Sequence, residues 1–112
     1  MKIAIPSDNQ ETITKRTGQS KGFVVYEIGN GKIMHSEYRE NTMNEHDEEA
    51  EHSHAQIIAL LSDVDILLVD AIGKHMKRDV ENSSIKYQFV KETKLTQIVS
   101  NFLNQVEKGI IS

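Results

Sequence analysis

The sequence predicts a single α/β domain built on a largely parallel sheet. A short β-rich opening is followed by a hairpin, and from there helices alternate with strands to the end of the chain. Strands that alternate with helices are joined by right-handed crossovers and lie parallel. The run Ile66-Leu67-Leu68-Val69 adds a third observation, because an apolar run without alternation is typical of a central strand covered on both faces.

The hairpin is the most clearly marked local feature. Asn30-Gly31 separates two β-rich runs, and the two central residues of such a turn need φ > 0, which Asn and Gly tolerate. Pro6-Ser7-Asp8-Asn9 has turn chemistry and ends the opening strand. The five expected strands cover residues 2–5, 23–28, 32–39, 65–69 and 85–90.

Three helices are expected after the hairpin. Ser53-His54-Ala55-Gln56 matches a capping box, which predicts that the first helix covers residues 54–61 with Ser53 as its cap. A short polar helix is predicted over residues 73–82. The last helix is predicted to follow Thr93 as its cap and to end near Gly109. Its apolar period comprises Leu95, Ile98, Val99, Phe102, Leu103 and Val106.

Composition narrows the class of function. The 112 residues suit one domain, 1–112, and a net charge of -4 argues against a general nucleic-acid binder. The chain has no cysteine, which removes disulfides, thiolate nucleophiles and the usual iron–sulfur ligands. No targeting signal opens the sequence, and no apolar stretch is long enough to span a bilayer. We therefore expect a cytoplasmic protein with neither a nucleic-acid nor a membrane partner.

The string "HDEEAEHSH", residues 46–54, is the most concentrated group of metal-ligand side chains. Its imidazoles and carboxylates suit iron, zinc, nickel or copper, with His46, His52 and His54 as the candidate ligands. His52 and His54 are favoured because a capped helix would hold them. The spacing matches no defined metal motif, however. The alternative is a solvated acidic segment whose charge interacts favourably with the dipole at a helix start.

Several longer strings resemble the dinitrogenase iron–molybdenum cofactor biosynthesis family. They are "MKIAIPSDN", "GFVVYEIGNGKI", "HSHAQIIALLSDVDILLVDAIG" and "SIKYQF", and together with the closing helix they cover nearly the whole chain in a fairly specific order. The resemblance implies a ribonuclease H-like fold, with a five-stranded mixed sheet of order 3-2-1-4-5, strand 2 antiparallel and helices on both faces. Three segments depart from the family pattern, namely Arg16-Thr17-Gly18, residues 46–54 and Asp70-Ala71-Ile72-Gly73.

The same resemblance implies a function. Such a chain would bind or carry an iron–sulfur or iron–molybdenum type cluster during nitrogen fixation-related metallocofactor assembly. It would not be an enzyme, and its partners would be cluster-assembly or cluster-acceptor proteins. We expect a monomer or a weak homodimer, because the hairpin leaves an edge strand.

Ligands of open α/β sheets bind beyond the carboxyl ends of the strands, where the strand order switches. With the implied order this point lies between strands 1 and 4, and the 41–53 loop exits on the same side. Asp8, Arg16 and Gly73 would line the crevice there. His75 would begin the following helix beside Lys74, Lys77 and Arg78, where an anionic cluster or a phosphate would be attracted. The alternative for these basic residues is a solvated polar face.

Two other functions remain open. Asp8 and Asp70 sit near the ends of strands 1 and 4, where ribonuclease H-type nucleases place carboxylates that hold magnesium ions. The predicted first helix lacks the acidic residue that such a site needs, which disfavours a nuclease. A metal-free scaffold or interaction module is the other alternative, and the absence of cysteine favours it.

Overall fold

A computed structural model describes residues 1–41 and 50–109, with the backbone alone over residues 50–54. The strands are β1 Lys2–Pro6, β2 Gly22–Gly29, β3 Lys32–Glu40, β4 Ile66–Val69 and β5 Lys86–Phe89. The helices are α1 Ala50–Leu60, α2 Lys74–Glu81 and α3 Leu95–Glu107, and a 3-10 turn covers Thr17–Gln19.

The five strands form one sheet of order β3-β2-β1-β4-β5. β1 pairs antiparallel with β2 and parallel with β4, and β4 pairs parallel with β5. β2 also pairs antiparallel with β3, so β2 runs against the other four strands. The predicted order and direction are confirmed, while the ribonuclease H-like label stays a prediction.

The two faces of the sheet are buried by different helices. Alternate residues of a strand point to opposite faces, which is why β4 is apolar throughout: Ile66 and Leu68 pack towards α3, and Leu67 and Val69 towards α1 and α2. The layer beneath α3 comprises Ile3, Ile5, Val24, Ile28, Ile66 and Leu68. The opposite layer comprises Ala4, Phe23, Val25, Leu67 and Val69. Helices therefore cover both faces, as expected.

The hairpin between β2 and β3 has the predicted turn. Asn30 has φ 54° and Gly31 φ 75°, the positive values that a two-residue turn of this kind requires. Further along the pair, the ring of Tyr38 lies directly over Gly22. Its hydroxyl donates to the carbonyl oxygen of Ser7 at 2.9 Å. This hydrogen bond joins the outer strand β3 to the residues that follow β1.

Two predicted helix caps are wrong. α1 is helical from Ala50, so Ser53 lies inside the helix and does not cap it. Alanine and glutamate are strong helix formers, and Ala50 and Glu51 carry the helix back past the serine. Lys94, rather than Thr93, occupies the N-cap of α3, and the carbonyl oxygen of Thr93 accepts from the amide of Ile13 at 2.9 Å. Gly109 has φ 75° and follows the end of α3 as predicted.

A cluster of ion pairs joins three elements at the edge of the sheet where β1 begins. Lys2 Nζ lies 2.8 Å from a carboxylate oxygen of Asp63, and Arg39 also donates to that carboxylate, from both of its terminal nitrogens. Arg39 donates further to the carbonyl oxygen of Leu60, 3.0 Å away, and to Glu37. The hydrogen bonds from Arg39 and Lys2 hold the pKa of Asp63 well below its usual range. The cluster joins β3 and β1 to the end of α1.

Candidate functional site

The segment between β1 and β2 crosses the edge of the sheet at which β1, β4 and β5 end. Thr12 bridges Lys94 just before α3, and the amide of Leu95 donates to the carbonyl oxygen of Glu11 at 3.0 Å. The segment then returns, and Arg16 forms a parallel bridge with Ala71, two residues past the end of β4. Segments far apart in sequence therefore meet beyond the strand ends, as predicted.

Thr17 is hydrogen-bonded to the residues that follow β4. Its hydroxyl donates to the carbonyl oxygen of Ala71 at 2.9 Å, and the amide of Ala71 donates to the carbonyl oxygen of Lys15 at 3.1 Å. Thr17 is fully buried. The sequence marks Thr17 as part of the departing segment Arg16-Thr17-Gly18, but nothing in it predicts the hydrogen bond to Ala71.

The switch point between β1 and β4 is filled by the chain itself. Ser7, Thr17 and Ser20 are buried there, and each hydroxyl donates to a carbonyl oxygen, of Thr12, Ala71 and Gly22 respectively. Every fully buried side-chain nitrogen or oxygen in the described part of the chain has a hydrogen-bond partner. The buried polar side chains here are therefore satisfied within the chain, whereas Asp8, Arg16 and Gly73 are exposed.

Asp8 and Asn9 shape the turn after β1. Asp8 is exposed, and its Oδ1 accepts from the amide of Lys21 at 2.8 Å, just before β2 begins. Asn9 Oδ1 accepts from the amides of Glu11 and Thr12, both at 2.9 Å. These bonds match the loop-capping alternative for Asp8, which is exposed just after β1.

Arg16, Lys74 and His75 are exposed beyond the ends of β1 and β4. We call these residues, together with Asp8 and Gly73, the edge surface. Gly73 is the N-cap of α2, the first turn of that helix has no acidic residue, and no side chain caps it. Arg16 and Lys74 are basic, and a helix start beside basic side chains attracts anions.

Gly73 is not required by packing. A β-carbon built there would meet no atom within 4 Å, and the backbone φ of -68° suits any residue. A side chain at position 73 would instead project into the open space in front of α2, so glycine leaves the helix start accessible.

The three candidate metal ligands fall at the border of the described structure. His46 lies outside it, and for His52 and His54 the backbone alone is described, in the first turns of α1. α1 follows β3 and α2 follows β4, so both helices begin at the same edge of the sheet, and α1 lies against α2 and against the 3-10 turn. Residues two apart in an α-helix differ by about 200° around its axis. The helical start therefore disfavours chelation of one ion by His52 and His54 together.

The start of α1 at Ala50 also matters for the nuclease alternative. Asp70 is exposed just after β4, and Asp8 just after β1. The helix that was expected to lack an acidic residue includes Glu51. That argument against a nuclease is therefore wrong, although the other argument, the net charge of -4, is unchanged. Among the described side chains, no group of three or more histidines and carboxylates could hold a metal ion.

Comparison with known proteins decides the family. The family model described as dinitrogenase iron–molybdenum cofactor matches residues 1–105. The chain belongs to this family. The predicted membership is confirmed, and with it a relation to the iron–molybdenum cofactor. A search of the curated proteins finds no match to this chain.

Solved structures support the fold. The protein PH0822 has a TM-score of 0.77 to this chain at 17% identity, over 93% of this chain and 91% of its own. The apo form of the orange protein from Desulfovibrio gigas has a TM-score of 0.71 at 22% identity, over 92% and 87%. A Methanocaldococcus jannaschii protein, described as a candidate dinitrogenase, has a TM-score of 0.70 at 18% identity, over 93% and 88%. In the described ranges, no helix is long and apolar enough to cross a membrane.

Proposed function

We propose that this protein binds and carries an anionic iron–sulfur or iron–molybdenum type cluster, or its metal, during metallocofactor assembly, and that it does so without catalysis. Membership of the family over residues 1–105 supports a cofactor-related role. The observation that carries the proposal is the pairing of Arg16 with Ala71, which brings a cation to the residues that lead into α2. The partners would be cluster-donating and cluster-accepting proteins of the cytoplasm.

The chemistry of the surface suits such cargo. Because the chain has no cysteine, it cannot hold a cluster by thiolates and must use charge and hydrogen bonds. Arg16 and His75 would contact the anionic cargo, Gly73 would let it approach the free amides of α2, and Asp8 would border it. His52 or His54 at the start of α1, together with His46 before it, would supply imidazole to the metal.

An oxygen-free titration of the full chain tests the proposal. The probes are a preformed iron–sulfur cluster with small thiol ligands and, separately, ferrous iron alone. We expect the chain to retain the cluster through gel filtration. Arg16→Ala plus His75→Ala removes the guanidinium and the imidazole from this surface and should weaken retention by at least about tenfold, which corresponds to about 1.4 kcal/mol. Lys32→Ala plus His35→Ala removes one basic side chain and one histidine from the exposed strand β3 and serves as the control.

The variants separate the alternatives. Equal retention by the Arg16/His75 variant and the wild type would remove the edge surface from the proposal. Equal retention by a His52→Ala plus His54→Ala variant would remove the histidines. A wild-type chain that takes up neither probe would instead support the metal-free scaffold. Magnesium-dependent cleavage of RNA or DNA, lost in Asp8→Ala, would establish the nuclease.

A further inference from the structure

Asn30 and Gly31 form the turn between β2 and β3, and both residues are exposed. Asn30 has φ 54°, and a β-carbon built on Gly31 would meet no atom within 4 Å. Among the described residues, neither the side chain of Asn30 nor the amide of Gly31 has a hydrogen-bond partner. The carboxamide of Asn30 and the backbone amide that follows it are therefore both free to react.

The other asparagines of the described structure are held by hydrogen bonds, on the side chain or on the following amide: Asn9, Asn41, Asn82, Asn101 and Asn104. The amide after Asn9 donates to Ser7 Oγ at 2.9 Å. The amide after Asn82 donates to the carbonyl oxygen of Val80 at 3.0 Å. The two asparagines of α3 are followed by amides that donate within the helix. The side chain of Asn41 donates to the carbonyl oxygen of Ser20 at 3.1 Å.

An asparagine followed by glycine can react with its own backbone, because glycine has no side chain to obstruct the attack. The amide nitrogen of Gly31 bonds to Cγ of Asn30, and the side-chain nitrogen leaves as ammonia with the proton of the attacking amide. The product is a cyclic imide. Water then opens the ring. Cleavage between Gly31 N and Cγ leaves aspartate, whereas cleavage between Gly31 N and the backbone carbonyl carbon of residue 30 leaves isoaspartate. Water is the only co-reactant.

We propose that Asn30 is a site of spontaneous conversion to isoaspartate, and that the fold directs the reaction to this asparagine. Isoaspartate carries Cβ in its main chain, so the turn becomes longer. The two-residue turn depends on positive φ at both central residues, a geometry that the longer main chain cannot reproduce. The modified chain should therefore lose the pairing of Gly29 with Lys32, which closes the turn. The extent of modification records the age of the folded molecule.

The effect should stay local. The turn lies at the end of the sheet where β1 begins, because Lys2 is paired with Glu27 on β2. The edge surface lies at the opposite end of the sheet, beyond the ends of β1 and β4. At that end the ribbon of β2 and β3 is held by the hydrogen bond from Tyr38 to Ser7. The modified chain should stay folded and keep its edge surface, so the inference does not depend on what that surface binds.

Storage of the full chain at mildly alkaline pH tests the inference, because base ionises more of the attacking amide. Peptide mapping by mass spectrometry locates the replacement of ammonia by water. An isoaspartyl methyltransferase with labelled S-adenosylmethionine measures the amount of isoaspartate. We expect both signals at Asn30. Asn30→Gly tolerates the positive φ of the turn and removes the carboxamide, so this matched control should give neither signal at position 30.

Storage in urea separates the effect of the fold from that of the local sequence. Unfolding releases the amide after Asn82 from its bond to Val80, whereas the amide of Gly31 is free in the folded chain as well. The ratio of modification at Asn30 to modification at Asn82 should therefore be at least about threefold higher in the folded chain than in urea. An equal or lower ratio would overturn the inference.

Hydrogen exchange of the isoaspartate form measures the structural consequence. The amide of Lys32 should exchange at least about tenfold faster than in the fresh chain. The amide of Asn41, which donates to the carbonyl oxygen of Lys21 at 2.8 Å at the other end of the ribbon, should be unchanged. Asn30→Asp adds the same charge without lengthening the main chain and should exchange like the fresh chain. Equal exchange at Lys32 in the isoaspartate form and in Asn30→Asp would overturn the proposed loss of the turn.

Discussion

At the scale of single residues, position 22 requires glycine because the ring of Tyr38, on the neighbouring strand β3, lies against it. A β-carbon at this position would overlap the Tyr38 ring and come within 2.8 Å of the carbonyl oxygen of Arg39. The ring cannot move away freely, because its hydroxyl is bonded to Ser7. Only glycine leaves room for the Tyr38 phenol at this position.

Gly22→Ala should accordingly lower the free energy of unfolding by about 1–3 kcal/mol, the usual cost of overpacking. Urea denaturation measures the loss. Gly73→Ala is the control, because a β-carbon there meets nothing within 4 Å, and it should change stability by no more than about 0.5 kcal/mol. Equal losses in the two variants would contradict the role given to Tyr38.

Asp63 gives the fold a dependence on pH. Its pKa in the folded state lies below the unfolded value because Arg39 and Lys2 donate to it. A carboxyl group with a lowered folded pKa stabilises the fold above its unfolded pKa of about 3.9, and this contribution is lost as the pH falls further. The side chain is 42% exposed, so solvent screening keeps the contribution to about 1 kcal/mol or less.

Asp63→Asn should therefore be less stable than the wild type at pH 7 by up to about 1 kcal/mol. The difference should shrink as the pH falls below about 4, because the carboxyl group of the unfolded wild type is then protonated while the folded state still holds it ionised, which favours unfolding. Thermal unfolding across this range measures it. Glu81→Gln, an exposed position on α2, is the control. A deficit that is constant from pH 7 to pH 2 would show that the carboxylate charge is not responsible.

At the scale of elements, the crossing segment depends on Thr17. Its hydroxyl bond to Ala71 spans 54 positions of sequence and holds Arg16 beside the residues that lead into α2. Thr17→Val keeps the shape of the side chain and removes that bond, which should cost about 1 kcal/mol of stability.

The amide of Ala71 should also exchange its hydrogen faster in this variant, because its own bond to Lys15 belongs to the same link. Thr93→Val is the control. Thr93 is exposed, and Lys94 rather than Thr93 occupies the cap of α3, so this change should be nearly neutral. Unaltered exchange at Ala71 in Thr17→Val would show that the backbone pairing alone holds the segment.

Local sequence patterns predicted some elements correctly and others wrongly, and the difference has physical reasons. The Asn30-Gly31 turn and the body of α3 followed from the backbone conformation and from apolar periodicity, which are local properties. The start of α1 did not, because a serine followed by glutamine has the same pattern inside a helix as at its cap. The helix-forming residues Ala50 and Glu51 decided between the two.

At the scale of the whole molecule, the sheet order was available from the family resemblance, and the structure confirms it. Converging strand ends predicted that Arg16 would lie near the residues after β4, as it does, while a binding site there stays a prediction. The burial of Thr17 could not be predicted, because it results from a hydrogen bond to Ala71 that joins residues far apart in sequence, and the sequence does not distinguish this threonine from a solvated loop residue.

The route of residues 7–21 also has a consequence for biosynthesis. This segment leaves the ribosome early, yet four of its backbone hydrogen bonds are to Ala71, Thr93 and Leu95, which are made much later. Contacts between residues so distant in sequence form late, because the chain must first close a long loop. The Arg16 surface should thus be completed only after the chain has been extended past Leu95. A nascent chain arrested near residue 70 would hold the N-terminal hairpin but not the pairing of Arg16 with Ala71.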